Sequence, residues 1–532
     1  MTESKTLVSL SHLLQEAAAR YPANIAVEDE SGRSIDYAEL SRMAGRVATR
    51  LARWGVGSGD RVGLYLPKGI EAVAAIHGIL RSGAAYVPID PTAPALRGAG
   101  ILSDGCVKAI VVDSTLAADL RAQWPGHGPF PRLIVVGAGS HTMTPLRDAA
   151  WTDVMNDNSP SPLPPQRQST DLAYILYTSG STGRPKGVML THENSLTFLD
   201  WCDKRFHPTS SDRFSSHAPF HFDLSVFDLF VSCKAGATLV LIGECLGKDP
   251  TRLVAYIQQR RLSVWYSAPS ILTLMIHHGG LDHGLGHRPR LVLFAGEVFP
   301  IIPLKRLRSI WRDAEIWNLY GPTETNVCTA HQIPSVIDES TNKPFPIGRV
   351  CHPLEARVVD ESGIDVESGE LGELIIAGPG VMRGYFRQTE MTAKSFFLDK
   401  ETGRLWYRTG DLVRDEGDGC FDFHGRRDRM VKKRGQRIEL GEIESVLYRH
   451  EAVERAAVIA KTDAAGVAIA AFIALKENRK GSIIALKRHC ANHLPLYMVP
   501  DSFIFLSNLP TTSTDKVDYQ GLRQAQTASM LS

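Results

Sequence analysis

Six short apolar runs within residues 60–345 constrain the fold more than any other feature of this chain. They are AAYVPI (84–89), AIVVD (109–113), LIVV (133–136), TLVLI (238–242), LSVWY (262–266) and LVLF (291–294). Each is too short for an ordinary helix, and most are rich in β-branched and aromatic residues that suit a pleated surface. Between them, apolar residues recur at helical spacing, as from Ile70 to Leu80. Strands apolar on both faces and separated by helices predict a buried parallel sheet, so the expected fold class is α/β.

The pattern changes twice further on. Residues 346–427 turn β-rich, with GELGELIIAG and several Gly/Asp turns. After 428 the basic stretch RMVKKRGQR leads into a helical pattern, LGEIESVLYR, then strand-like AAVIA and VAIAAFIAL and another helix. A boundary is expected at Asp428. It separates an N-terminal core (1–427), made of α/β subdomains plus a β-rich one, from a small α+β C-terminal domain (428–532). The segment MNDNSPSPLPPQRQST (155–170) reads as a surface loop, because the α/β pattern resumes after it.

Charge and cysteine usage narrow the function classes. The 59 basic and 58 acidic residues leave a formal charge of +1, so no global field recruits nucleic acid or an anionic membrane. No apolar run approaches the roughly 18 residues of a membrane span. The start, MTESKTLVSLSHLLQEAAAR, lacks the basic and apolar regions of a signal peptide. Eight scattered cysteines without a CxxC pair point to reduced thiols in the cytoplasm rather than disulfides or zinc.

The strongest local feature is YILYTSGSTGRPKG (174–187), an apolar strand running into Thr178, Ser179, Gly180, Ser181, Thr182 and Gly183, with Lys186 beyond. Small residues let backbone N–H groups approach phosphate oxygens, and a lysine supplies a point charge. A Walker loop would need Ser or Thr after the lysine to hold Mg²⁺, and here Gly187 follows.

YTSGSTGRPKG resembles the signature loop of the adenylate-forming superfamily, whose members include acyl-CoA synthetases, luciferases and peptide-synthetase adenylation domains. The resemblance extends over nearly the whole chain, through LRSGAAYVPID (80–90), NLYGPTET (318–325), GELGELIIAGPGVMRGY (369–385), YRTGD (407–411), GRRDRMVKKRGQRIELGEIE (425–444), LPLYMVP (494–500) and LPTTSTDKVD (509–518). Motif order makes it far more specific than any single match.

The resemblance implies the cofactors ATP and Mg²⁺ and a role for each site residue. Asn318 and Tyr320 would hold adenine, bordered by Gly296 and Glu297, with Gly321 in the same turn. Thr323 would donate to the α-phosphate and Glu324 would hold Mg²⁺, since carboxylate oxygens suit a hard cation. Asp411 would accept both ribose hydroxyls, and Arg426 would reach the ribose or phosphate side. Lys516 would stabilise charge developing on the α-phosphate during adenylation. Thr514-Asp515 precede it where the family commonly has Asn-Gly. Asp428 would be the hinge between adenylating and thioester-forming orientations, the latter turning Arg434-Gly435 towards the pantetheine path.

HFDLSVFDLF (221–230) bears on the substrate. Amino-acid-activating members place an aspartate here, Asp223, against the substrate ammonium. Asp223 could also cap the helix that follows. The carried-over lining is Asp223, Leu224, Phe227, Tyr266, Leu293, Ala295, Leu319, Val327 and Cys328, with Lys516 at the far end. Between its charged ends this lining is apolar and disfavours a charged substrate side chain. It resembles the set in stand-alone members that load L-proline onto a carrier protein, where the tethered proline is later oxidised to a pyrrole. Valine or alanine would satisfy the same physics. No carrier motif follows LPTTSTDKVD, so the acceptor is expected to be a separate phosphopantetheinylated protein. Two other readings stand beside this one: an acyl-CoA synthetase, which Asp223 opposes, and an adenylate-binding protein without catalysis.

Overall fold

The structure is a computed structural model and describes residues 9–125, 129–137, 147–159, 168–180, 185–282, 286–427, 429–463, 466–476, 479, 481–510, 517–519 and 522. The chain divides into two compact units. The larger comprises 1–91, 98–177 and 187–427, the smaller 92–97, 178–186 and 428–532.

Each of the six apolar runs coincides or overlaps with a strand. Among the described residues the larger unit holds three sheets. In a nine-stranded sheet the neighbours run 349–350, 329–333, 315–320, 291–295, 264–267, 213–216, 238–241, 25–28 and 34–36. Every pairing from Glu315–Tyr320 through Ile25–Glu28 is parallel, and the strands outside that block pair antiparallel. An eight-stranded sheet contains Arg61–Tyr65, Ala85–Pro88, Ala109–Asp113, Arg132–Val136 and Leu172–Thr178. The β-rich stretch forms a five-stranded sheet around the long strand Leu405–Asp415.

The helices between strands explain why both faces of these sheets are apolar. Tyr37–Arg53 starts where the Asp36 carboxylate accepts the Glu39 N–H at 2.7 Å. It buries Leu40, Ala44, Val47 and Leu51, a stripe at helical spacing. That stripe packs on Ile70–Ser82, which is buried almost all round. The predicted helix from Ile70 is therefore an interior one.

The smaller unit is α+β. It has a hairpin, Met430–Lys433 with Gln436–Glu439, and the helix Leu440–Leu447. The strands Val453–Asp463, Gly466–Leu475 and Ser502–Leu506 form a sheet with the helix Ile483–His493 nearby in sequence. Its core includes Ile443, Leu447, Val458, Ile473 and Cys490. No helix among the described residues is long and apolar enough to cross a membrane.

One buried carboxylate ties the starts of the parallel strands together. Asp212 accepts Ser263 Oγ at 2.7 Å, Arg290 Nε at 2.9 Å and Nη2 at 2.6 Å, and the Thr209 N–H at 2.8 Å. Its own carbonyl accepts the Thr238 N–H at 3.0 Å. Burial alone would raise its pKa, but the hydrogen bonds from Arg290, Thr209 and Ser263, with the Arg290 charge, hold it below the usual carboxylate range. A depressed folded-state pKa contributes stability above the unfolded value, which is lost as pH falls through the folded one. Asp212→Asn is expected to destabilise the protein by about 1.5–3 kcal/mol at neutral pH. Chemical denaturation should show that gap closing below about pH 4, where the wild-type carboxyl also protonates. An unchanged gap down to acid pH would refute the assignment.

Candidate active site

Loops leaving the carboxyl ends of the parallel strands carry several of the expected site residues, the usual place for a ligand on an open α/β sheet. Arg213–Ser216 leads to Asp223, Leu291–Ala295 to Gly296 and Glu297, and Glu315–Tyr320 to the turn that carries Thr323 and Glu324.

Asp223 meets Thr323 there. The Thr323 hydroxyl donates to Asp223 Oδ2 at 2.6 Å. The following helix, Ser225–Ala235, has its cap at Leu224 with no side-chain cap bond. Its start therefore gives no support to the capping alternative. The turn holding Thr323 depends on a glycine, because a Cβ at Gly321 would lie 1.7 Å from the Asn326 carbonyl oxygen. Asn326 itself sits at φ +53°, buried.

Glu324 is fully buried, and its Oε1 accepts the Tyr385 hydroxyl at 2.7 Å. The backbone repeats the link, with the Met382 N–H donating to the Glu324 carbonyl at 2.7 Å. Tyr385 lies inside GPGVMRGY, but sequence reasoning gave it no role. The signal was the motif itself. One oriented carboxylate suits Mg²⁺, which usually takes one or two carboxylates and completes its shell with phosphate oxygens and water. Among the described residues no cluster of three or more His, Cys, Asp or Glu forms a separate metal site.

Asp411 and Arg426 stand directly opposite on paired antiparallel strands. Arg426 Nη1 donates to Asp411 Oδ1 at 2.6 Å and to the Thr409 carbonyl at 3.1 Å. The Tyr320 hydroxyl donates to Asp411 Oδ2. Each carboxylate oxygen retains acceptor capacity for a further hydroxyl. Burial and the Asp411 charge raise the Tyr320 pKa well above its ordinary value, so the phenol stays a donor. Asn318 spends one amide N–H on the Pro346 carbonyl at 2.8 Å. Glu297 Oε2 accepts the Ser270 N–H at 3.2 Å, beside Gly296 at φ +93°.

Sheet register assembles the apolar lining. Tyr266 pairs with Leu293, and Ala295 with Leu319, across neighbouring parallel strands. Phe227 meets Tyr266 edge-on, ring centres 5.4 Å apart. Leu224, Phe227, Tyr266, Leu293, Ala295 and Leu319 share one apolar cluster, and Val327 packs against it. Cys328 does not join them. It is buried in a different cluster with Tyr320, Ile347 and Leu354.

The smaller unit carries the Thr178–Lys186 segment. Ser179 Oγ donates to the Arg437 carbonyl at 2.8 Å and accepts the Glu439 N–H at 3.2 Å. Lys186 is buried and opens a strand, Lys186–Thr191. A Walker loop opens a helix at that point, so the local fold adds a second argument against that motif. Ser181, Thr182, Gly183, Asp428 and Lys516 lie outside the described residues.

Comparison with known proteins agrees with this geometry. Residues 14–386 match the family of AMP-binding enzymes, and residues 442–516 match the AMP-binding enzyme C-terminal domain. An L-proline--[L-prolyl-carrier protein] ligase of Pseudomonas fluorescens is 38% identical over 510 residues, covering 96% of this chain and 97% of the relative. Its namesake from Streptomyces coelicolor is 36% identical, covering 97% and 96%. The adenylation domain AlmE of Vibrio cholerae, solved with glycyl-adenosine-5'-phosphate, superposes with a TM-score of 0.83 at 25% identity, covering 99% of both chains. The chain belongs to the AMP-binding enzymes, the adenylate-forming family that its motif order resembles.

Proposed function

We propose that this chain activates a small apolar amino acid, L-proline foremost, as its aminoacyl adenylate and passes it to the phosphopantetheine thiol of a separate carrier protein. The carrying observation is the bond between Thr323 and Asp223. It puts an anion, set in an apolar wall, in contact with the turn expected to hold the α-phosphate. A bound ammonium at Asp223 would leave the substrate carboxylate beside that phosphate. An acyl-CoA synthetase acting on a neutral tail would gain nothing from a carboxylate there and would bear its desolvation. The names of the two relatives support proline and the carrier protein.

The chemistry then follows. A substrate carboxylate oxygen attacks the α-phosphorus, the bond to the β,γ-phosphates breaks, and pyrophosphate leaves. Thr323, its one hydroxyl proton released from Asp223 as the substrate ammonium takes that place, orients the α-phosphate, and Asp411 with Arg426 fixes the ribose. Glu324 would hold Mg²⁺, which supplies neutralising charge to the phosphates. Lys516 stabilises the charge that develops in the transition state. In the second step the carrier thiolate attacks the acyl carbon and AMP departs, after a reorientation that we assign to the hinge at Asp428. We assign the core to 1–427 and the mobile domain to 428–532. We place the reaction in the cytoplasm, where the eight free cysteines would stay reduced.

A pyrophosphate-exchange panel across the common amino acids tests the reading. Proline should give the highest kcat/KM, with charged amino acids near background. Exchange driven only by fatty acids would overturn it. In Asp223→Ala the proline KM should rise by roughly two to three orders of magnitude, the cost of leaving one member of a buried ion pair alone, while ATP affinity holds. An unchanged proline KM would remove the carboxylate from its role.

Lys516→Ala should lower the adenylation rate by about 10²–10³-fold, as loss of a charge-stabilising donor does elsewhere. Transfer from preformed prolyl adenylate should stay near the wild-type rate. Equal losses in the two half-reactions would refute the assignment.

A further inference from the structure

Lys68 is half-buried in the larger unit, and the reaction described above does not use it. Its ammonium points into the segment that delivers Asp223. Nζ donates to the carbonyl oxygens of Ser216 at 2.6 Å, His217 at 3.0 Å and Ala218 at 2.7 Å. Three N–H donors thus meet three acceptors, which uses the donor capacity of a charged lysine in full. The same nitrogen lies 5.5 Å from the centre of the Phe220 ring. All four residues sit between the end of the strand Arg213–Ser216 and Asp223.

The far end of that segment is fixed separately. The Phe222 N–H donates to the Pro219 carbonyl at 2.9 Å, Ser225 Oγ to the Phe222 carbonyl at 2.7 Å, and the Val226 N–H to the Asp223 carbonyl at 3.1 Å. The near end leaves the sheet with successive carbonyls turned inward onto one point. Buried carbonyls need donors. The Ile242 N–H also reaches the Ser216 carbonyl at 3.1 Å, and Lys68 reaches all three.

A buried acid sits close by. Asp228, on the first turn of the helix after Asp223, interacts electrostatically with Lys68. Among the described residues neither of its carboxyl oxygens has a hydrogen-bond partner. Burial pushes Asp228 well above the usual carboxylate range, against the pull of Lys68. Burial also brings the Lys68 ammonium down to about 7, with Asp228 opposing. This combination gives no sign of a closed ion pair built for stability. The ammonium is committed to backbone oxygens.

We propose that Lys68 is a positioning residue for amino-acid recognition, holding the 216–218 backbone so that Asp223 stands where the substrate ammonium can meet it. The inference rests on the amino-acid reading of Asp223 given above. Lys68 touches neither substrate nor nucleotide in this scheme, so its effect should fall on the amino acid and spare ATP. Loss of a lysine that served stability alone would lower the folded fraction, and with it kcat, without moving either KM.

The test compares wild type, Lys68→Met and Lys68→Arg in the full chain by proline-dependent pyrophosphate exchange, with ATP and proline varied separately. In Lys68→Met, which keeps the length and loses every donor, the proline KM should rise about 10- to 100-fold, the scale of a misplaced binding group. The ATP KM should stay within about twofold of wild type, a margin small beside that change. Hydrogen exchange should quicken at the amides of residues 217–224 and stay unchanged in the strand Arg61–Tyr65. A folded Lys68→Met protein with an unchanged proline KM would overturn the proposal, as would equal rises for both substrates. If Lys68→Met does not accumulate folded, Lys68→Arg carries the test. Its planar fork cannot meet three converging carbonyls, so a raised proline KM alone supports the role and an unchanged one overturns it. Wild type that exchanges with no amino acid defeats the reading of Asp223 instead. Active wild type beside an unaltered variant defeats only the role of Lys68.

Discussion

A carboxylate in an oily wall persists only where something meets its charge, and the contact between Thr323 and Asp223 is that meeting point. The two residues are 100 apart in sequence. They follow strands that are not neighbours, because Val264–Ser267 and Leu291–Ala295 lie between. Three strand spacings amount to about 14 Å, so the loop after Ser216 must travel back over the sheet edge to bring Asp223 to Thr323. The ends of the two intervening strands lie under that path. They carry Tyr266, Leu293 and Ala295, which become its floor. The lining of the proposed substrate site is thus a consequence of sheet order.

The same geometry separates binding from chemistry. Asp411, Arg426 and Tyr320 form a polar end held by hydrogen bonds within the chain. Glu324 is likewise oriented in advance by Tyr385. Groups already held in place cost little reorganisation when charge develops near them. The apolar end is ordered by packing, with Phe227 and Tyr266 edge to face. The loop that presents Asp223 is held through Lys68, which donates to the carbonyls of Ser216, His217 and Ala218.

Much of the fold was legible because its signals are local. Short apolar runs gave the six strands, and Ile70 to Leu80 gave a helix, since burial and periodicity act over few residues. Lining positions could be carried across by motif, but their neighbours could not be read. Pairing of Tyr266 with Leu293 is a matter of register between distant strands. Cys328 shows the limit. Its place in the motif put it with the lining, while the turn after Tyr320 buries it in another cluster. Lys68 was invisible for a different reason. A single lysine between Pro67 and Gly69 reads as exposed, and only three carbonyls from a segment about 150 residues away reveal its task.

If proline is the substrate, as proposed, its selection has to be more than a matter of size. One methylene in an apolar pocket distinguishes substrates by only about 1–3 kcal/mol, which would leave valine and alanine as competitors. The amine offers a sharper criterion. A secondary ammonium brings two N–H donors and a primary one brings three. Asp223 can accept more than one of them through its two oxygens, and the Tyr266 and Thr323 side chains stand close to it. The lining residues Leu224, Phe227, Leu293, Ala295 and Leu319 have no side-chain acceptor. An unmet donor in such surroundings costs about 1–3 kcal/mol, and that penalty adds to the one for size. On the proposed reading, a secondary ammonium with two donors is easier to satisfy beside Asp223 than a primary one with three.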